Sequence, residues 1–329
     1  MKTQYAVGVV TSMPQRIASF GPGAYSHLAA SADGTRSAVR TLGGLGTILD
    51  ILRPDGALDR EHAVLDQTRG WVTGCVTDSS GSIHFSMTAR VSERTNRLSV
   101  VTMRPHISSP AMPESVLPFA EVTVLRMDPS PRLLLCVDDR DVVHALGSRG
   151  REVLVLGEGA VVKRRTLHHR STSFSAIASG HDGSLLIADM GGSRLIELGR
   201  TTPSRVLAAL PDGSWPMDLA VESDGCVCSA DPGSSTVTRA HPSGALQRFE
   251  LAPDGVRAAG AAPTSLRIVA GRACARAGER LFALPDGEDR VLQPIARVRN
   301  LVDWCADPLS GAIVALDRDG GLWSIPGPE

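Results

Sequence analysis

The sequence predicts an all-β chain folded as a seven-bladed β-propeller of four-stranded antiparallel blades, and three observations predict it. First, an apolar run, a tight turn (Asp-Gly in the clearest copies) and a second apolar run recur along the chain; Asp-Gly tolerates the positive φ that tight hairpin turns demand. Second, the recurrences start roughly 40 to 55 residues apart, the length that a four-stranded blade needs. Third, no window of a dozen residues holds a 3.6-residue period without Gly or Pro interrupting it, which disfavours an α/β sheet.

The units follow in order. Tyr25-Ser-His-Leu-Ala-Ala-Ser-Ala-Asp-Gly-Thr35 opens the first. It aligns without a gap with Phe174-Ser-Ala-Ile-Ala-Ser-Gly-His-Asp-Gly-Ser184, the start of the fourth, and both match Pro216-Met-Asp-Leu-Ala-Val-Glu-Ser-Asp-Gly-Cys226, the start of the fifth. Weaker copies supply the rest. Unit two is read at Val72-Thr-Gly-Cys-Val-Thr with a turn at Ser79-Ser-Gly81, and unit three at Phe119-Ala-Glu-Val-Thr-Val with a turn at Asp128-Pro-Ser-Pro131. Unit six starts at Pro263-Thr-Ser-Leu-Arg-Ile, and unit seven at Leu301-Val-Asp-Trp-Cys with a turn at Asp307-Pro-Leu-Ser-Gly311. A second hairpin completes most units, as in Arg194-Leu-Ile-Glu-Leu followed by Val206-Leu-Ala-Ala-Leu. The last unit supplies three strands, and an N-terminal strand, read at Tyr5 to Thr11, is expected to complete it. Closure of this kind removes strand edges that would otherwise pair with another chain. A six-bladed ring with one weak unit absorbed as an insertion is the alternative. The whole chain, 1–329, is read as one propeller domain.

Composition narrows the function. With 34 Lys+Arg against 35 Asp+Glu there is no basic excess to neutralise phosphates, so nucleic acid is not the expected partner. No window approaches about 18 consecutive apolar residues, so no transmembrane helix is expected. The six Cys form no CxxC pair, and the start of the chain lacks a signal-peptide core, which together point to reduced thiols and the cytoplasm.

Ile187-Ala-Asp-Met-Gly-Gly-Ser-Arg-Leu-Ile-Glu197 resembles the V-A-D-x-x-N-x-R-I core of NHL-type propeller repeats, with Gly192 in place of the Asn. Those repeats are related in architecture to the gluconolactonase (senescence-marker) family and to virginiamycin B lyase. The resemblance implies the blade pattern along most of the chain. It also implies a mouth that in gluconolactonase-type enzymes binds a divalent metal, although no ligand of that family matches here residue by residue. Such folds host lactonases, lyases and binding scaffolds alike.

In a blade, the innermost strand begins and the second strand ends on one face, so those points ring one mouth of the central channel. Taking the position of Ala176 in every unit gives His27, Gly74, Glu121, Ala176, Asp218, Ser265 and Asp303. Glu121, Asp218 and Asp303, with Asn300 adding a carbonyl oxygen, are candidate ligands for Ca, Mg, Mn or Zn, and His27 is a candidate acid or base. The ends of the second strands give Arg40, Met87, Asp138, Asp189, Asp231, Arg276 and Asp317. The four Asp read as turn caps. Arg40 and Arg276 break the pattern and are candidate clamps for a substrate carboxylate or phosphate. The basic stretch from Val162 to Thr172 reads as the longest connection between units, a lid that would bring His168 or His169 over the mouth as acid or base. The expected function is therefore a metal-assisted hydrolase, lyase or cyclase acting on a small polar metabolite. The alternative is a non-catalytic scaffold that binds another protein.

Overall fold

A computed structural model describes residues 13–328 except 22–23, 32, 42–46, 60–70, 81, 93–94, 104–119, 129–131, 158–159, 170, 172, 252–261 and 288. Seven four-stranded antiparallel sheets make up the fold, which settles the blade count against six. The innermost strands are Ala24–Ala30, Trp71–Thr77, Leu133–Val137, Phe174–Ser179, Asp218–Val221, Pro263–Val269 and Leu301–Ala306. We call the sheets blades 1 to 7 in that order. No helix among the described residues is long and apolar enough to cross a membrane.

Each blade grows outward in chain order because each consecutive pair is a hairpin. The turn between the first two strands closes around a carboxylate: Asp33, Asp182 and Asp224 each accept the main-chain N–H two residues on, at 2.8 Å in all three. The Gly within those turns, Gly34, Gly183 and Gly225, has a φ of +86°, +74° and +82°, a region that residues with a Cβ seldom adopt. Apolar side chains of facing sheets fill the spaces between blades, as with Leu146, Phe174, Ile187 and Ile196 between blades 3 and 4. Burial of this apolar surface is the main favourable term holding the ring together.

The ring closes as the sequence predicts, by an N-terminal strand on the last blade, but a different segment does it. Gln15–Ser19 pairs with Gly321–Ile325 at the outer edge of blade 7. The stretch Tyr5 to Thr11 lies outside the described residues. Phe20 follows the closing strand, is 2% exposed, and packs with Tyr25, Leu316 and Leu322.

Unit three starts later than expected. Ala120–Asp128 is the fourth strand of blade 2, pairing with Thr95–Met103, and Leu133–Val137 is the innermost strand of blade 3. Both runs are apolar and end near an Asp, so periodicity by itself does not separate an outer strand from the inner strand that follows it. Two consequences follow for residues singled out above. Glu121 stands on an outer strand opposite Val101, away from the channel. Asp138 is not at a second-strand end: it opens the first turn of blade 3, where its Oδ1 accepts from the N–H groups of Arg140 and Val142.

Candidate functional site

The innermost strand of every blade is a sheet edge facing the channel, so its outward backbone groups need partners from elsewhere. In five blades, side chains near this strand's start at the mouth supply them across the seam to the next blade. Arg132 donates to the Ser175 carbonyl at 3.2 Å, and Ser175 Oγ donates to the Pro216 carbonyl. Asp218 Oδ2 accepts the Leu266 N–H at 2.9 Å. Arg276 donates to the carbonyls of Leu301, at 2.8 Å, and Val302. Asp303 Oδ2 accepts the Leu28 N–H at 2.8 Å, which joins blade 7 to blade 1.

These seams bring several predicted residues together. His27, Asp218 and Asp303 all lie at the mouth, joined by Arg132, Arg267 and Arg276. Arg267 feels the charges of both Asp218 and Asp303, Arg132 that of Asp218, and Arg276 those of Asp303 and Arg267. Arg267 Nη1 donates to Asp218 Oδ2 at 3.0 Å and to the Leu266 carbonyl at 2.7 Å. Its side chain sits deep within the ring yet keeps 38% of its surface open, because that surface faces the channel. Burial pushes the Asp218 carboxyl above its usual range, and Arg267 opposes the shift.

Burial lowers the His27 imidazole below 6.5, the nearby Arg267 reinforces this, and Asp303 works against it. His27 is therefore neutral at neutral pH. Nδ1 lies 2.9 Å from Ser26 Oγ; in the tautomer whose Nδ1–H donates to that hydroxyl, the lone pair for proton transfer is on Nε2, which has no hydrogen-bond partner among the described residues. A stability prediction follows. Above 6.5 neither the folded nor the unfolded imidazole is protonated, so the shift costs nothing there. Below 6.5 the unfolded chain takes up a proton that the folded one refuses, and stability falls. The buried His144 imidazole, held beside Asp138 Oδ2 at 2.9 Å, is lowered for the same leading reason and adds to the slope. Melting temperatures between pH 8 and pH 5 are expected to be flat and then to drop. The drop should be shallower in His27→Gln and in His144→Gln.

Of the other predicted residues, Arg276 keeps to the mouth in a shifted register and the rest stand elsewhere. Arg40 is not aimed at a ligand: Nε and Nη2 form a paired contact with Asp50 at 2.7 and 3.0 Å, and Asp50 is fully buried on the third strand of blade 1. Arg276 stands opposite Ser265, one residue before the register expected for it, and Ala277 occupies that place opposite Pro263. Asn300 sits exposed in the turn before blade 7 with a φ of +56°. Its N–H bonds Glu279 Oε1 at 2.8 Å and its carbonyl accepts from Arg318. Asn tolerates that left-handed conformation better than most residues, which explains it as a turn residue. The lid is not built: Ala160–Thr166 is the outer strand of blade 3, and Leu167 is buried between blades 3 and 4. The His168 N–H is tied to Ser204 Oγ on the outer strand of blade 4, so His168 stands at the perimeter. His169 is half-buried on the same short link, and no contact brings it to His27. Its basic neighbours Lys163 and Arg164 are exposed on the outer strand.

Asp189, Asp231 and Asp317 do cap the turns after the second strands, accepting the N–H groups of Gly192, Gly233 and Asp319. Arg132 and Arg267 are the mouth residues that sequence reasoning missed. Arg267 takes the register of Ala29, Ala178 and Ala220 in other blades, so a long cation in a small apolar register was a readable signal. Arg132 was hidden by the late start of unit three.

The residues expected to bind a divalent ion do not form a ligand set. Glu121 and Asn300 are displaced as described, one oxygen of Asp218 is spent on Leu266 and Arg267, and three guanidinium groups crowd the same mouth. A closer group of ligating side chains among the described residues, Glu222, Asp224 and Cys226, lies at the far end of blade 5. There Arg239 pairs with Glu222 at 2.6 Å, and burial pushes the Cys226 thiol up to about 12. A protonated thiol is a poor ligand and a poor nucleophile.

No family model matches the sequence, and no curated protein matches it. Solved structures do match in fold. Virginiamycin B lyase from Staphylococcus aureus superposes with a TM-score of 0.72 at 11% identity, covering 96% of this chain and 99% of that one. A streptogramin B lyase gives 0.70 at 12% identity over 95% of this chain and 96% of that one. The WD40 β-propeller domain of Doa1 gives 0.67 at 12% identity over 97% and 98%. The fold is thus a seven-bladed propeller of the virginiamycin B lyase-like type, and likeness at this identity speaks for the fold alone.

Proposed function

We propose that the protein is an enzyme acting on a small polar molecule at this channel mouth by acid–base chemistry of the lyase or hydrolase kind, with His27 as the base. The observation that carries the reading is a neutral imidazole at the mouth, with Nε2 free and the charges of Asp303 and Arg267 both close enough to act on it. Among the folds that match, a catalytically inactive His-to-Ala variant of virginiamycin B lyase has been solved with quinupristin, which supports looking to a histidine in this architecture.

In a lyase step, His27 Nε2 takes a proton from a carbon beside a carbonyl. The freed electron pair forms a double bond to the neighbouring carbon, and the bond from that carbon to the leaving group breaks. The imidazolium so formed is stabilised by the Asp303 carboxylate, and the negative charge on the leaving group by Arg267. No metal takes part in this scheme, since the mouth residues do not suit one. Trp215, at 57%, is the one aromatic among the described residues that is strongly exposed; interfaces usually present several such anchors, which weighs against the scaffold alternative.

The test is turnover. Purified protein is incubated with quinupristin and with a panel of small lactones and esters, and products are followed by mass spectrometry. His27→Gln is expected to lower turnover of any substrate found by about 100-fold or more, the usual worth of a positioned base, while its melting temperature at pH 8 stays near that of the parent. Unchanged turnover in His27→Gln removes the proposed base.

A further inference from the structure

The charge at the mouth is unbalanced. Arg132, Arg267 and Arg276 face two carboxylates, Asp218 and Asp303, and His27 is neutral. The three guanidinium groups are not equally occupied. Arg276 spends all three nitrogens on the carbonyls of Gly278, Leu301 and Val302. Arg267 uses only Nη1, which leaves the N–H groups of Nε and Nη2 without a partner among the described residues. Among the described residues, Arg132 uses only Nη2, towards Ser175. The open 38% of the Arg267 side chain leaves these donors accessible from the channel, where an anion can accept from them.

Rigidity accompanies the charge. Asp218 and the Leu266 carbonyl fix one end of the Arg267 fork, so its free edge is held in place before a ligand arrives. A planar fork held in this way matches the two oxygens of a carboxylate or phosphate.

We infer that the channel mouth recognises the anionic group, a carboxylate or a phosphate, of a small molecule through the free edges of Arg267 and Arg132, with Asp218 as a positioning residue. The inference rests on the proposed function for the site's location and names the substrate class it takes. It also moves the clamp for a substrate carboxylate or phosphate, expected from sequence at Arg40 and Arg276, to Arg267 and Arg132, and leaves Asp218 and Asp303 closing seams.

The experiment is calorimetric titration with inorganic phosphate, sulfate and malonate at low ionic strength, with sodium chloride matched as control. Binding of at least one of them more tightly than chloride is expected, with phosphate against malonate separating the two anion classes. Arg267→Met and Arg132→Met should each weaken that binding about tenfold or more, the loss expected when charge-assisted hydrogen bonds are removed. Arg164→Met, on the exposed outer strand of blade 3, should leave it unchanged. The double variant Arg267→Met/Asp218→Asn keeps the charge of the seam balanced and guards against a folding defect in the single variant; it should bind as weakly. Binding no tighter than chloride, or affinity retained in both Arg267→Met and Arg132→Met, overturns the inference. His27→Gln separates this result from the proposed function: anion binding that survives in a variant without turnover supports both. His27-dependent turnover without anion binding sinks the inference alone.

Discussion

Arg40→Ala is expected to destabilise the protein by about 3–5 kcal/mol, the usual cost of breaking a buried ion pair from one side, and to leave anion binding at the mouth unchanged. The reason lies in blade 1. Asp50 has no exposed surface and is held by two hydrogen bonds from Arg40 and one from the Tyr25 hydroxyl at 3.1 Å. Truncating Arg40 strands the carboxylate in an apolar setting with the hydroxyl as its one remaining side-chain partner among the described residues. Arg40→Lys should recover only part of the loss, because an ammonium does not reproduce the paired contact of the fork. Urea midpoints of the three proteins, with anion titration of those that fold, check both halves. A stable Arg40→Ala that binds anions poorly would return Arg40 to the site.

Removing residues 1–20 is expected to have the other large effect. The cut deletes the closing strand Gln15–Ser19 and Phe20, and burial of a phenylalanine is by itself worth about 3–5 kcal/mol. It also strips the ladder from Gly321–Ile325, leaving an unpaired edge of the kind that pairs with a second chain. The truncated protein should melt well below the parent and run as dimers or larger species on size-exclusion chromatography. Removing residues 1–13 keeps the closing strand and is the control that isolates its effect. A monomeric, equally stable product of the longer cut would show that closure on blade 7 contributes little.

Much of the architecture was legible because it is local. Two residues of a turn and the alternation of the strands beside it specify a hairpin, so Asp182-Gly183 and Asp224-Gly225 announce their blades without help from distant chain. The turn-capping role of Asp189, Asp231 and Asp317 was readable for the same reason, as each carboxylate reaches N–H groups two to four residues away. The start of unit three was misplaced because an outer strand and the inner strand after it share one apolar pattern. Glu121 went with it into the predicted mouth, and Arg132 was left out.

By itself, the sequence determined the repeat, the four-stranded blade, the use of an N-terminal strand to close the ring, and the presence of His27, Asp218 and Asp303 at one mouth, while seven blades rather than six was decided by the sheets themselves. Only the tertiary structure decided what those side chains do there. Leu28 and Asp303 are 275 residues apart in the chain, and Asp218 and Leu266 are 48 apart. Whether a carboxylate faces a ligand or closes a seam depends on what the next blade brings to within 3 Å of it. The same holds for charge. Arg132, Arg267 and Arg276 come from blades 3 and 6, and only ring closure sums their fields with those of two Asp from blades 5 and 7. The sign of the site is a property of that sum, because Coulomb interactions follow distance in space and are indifferent to separation along the chain.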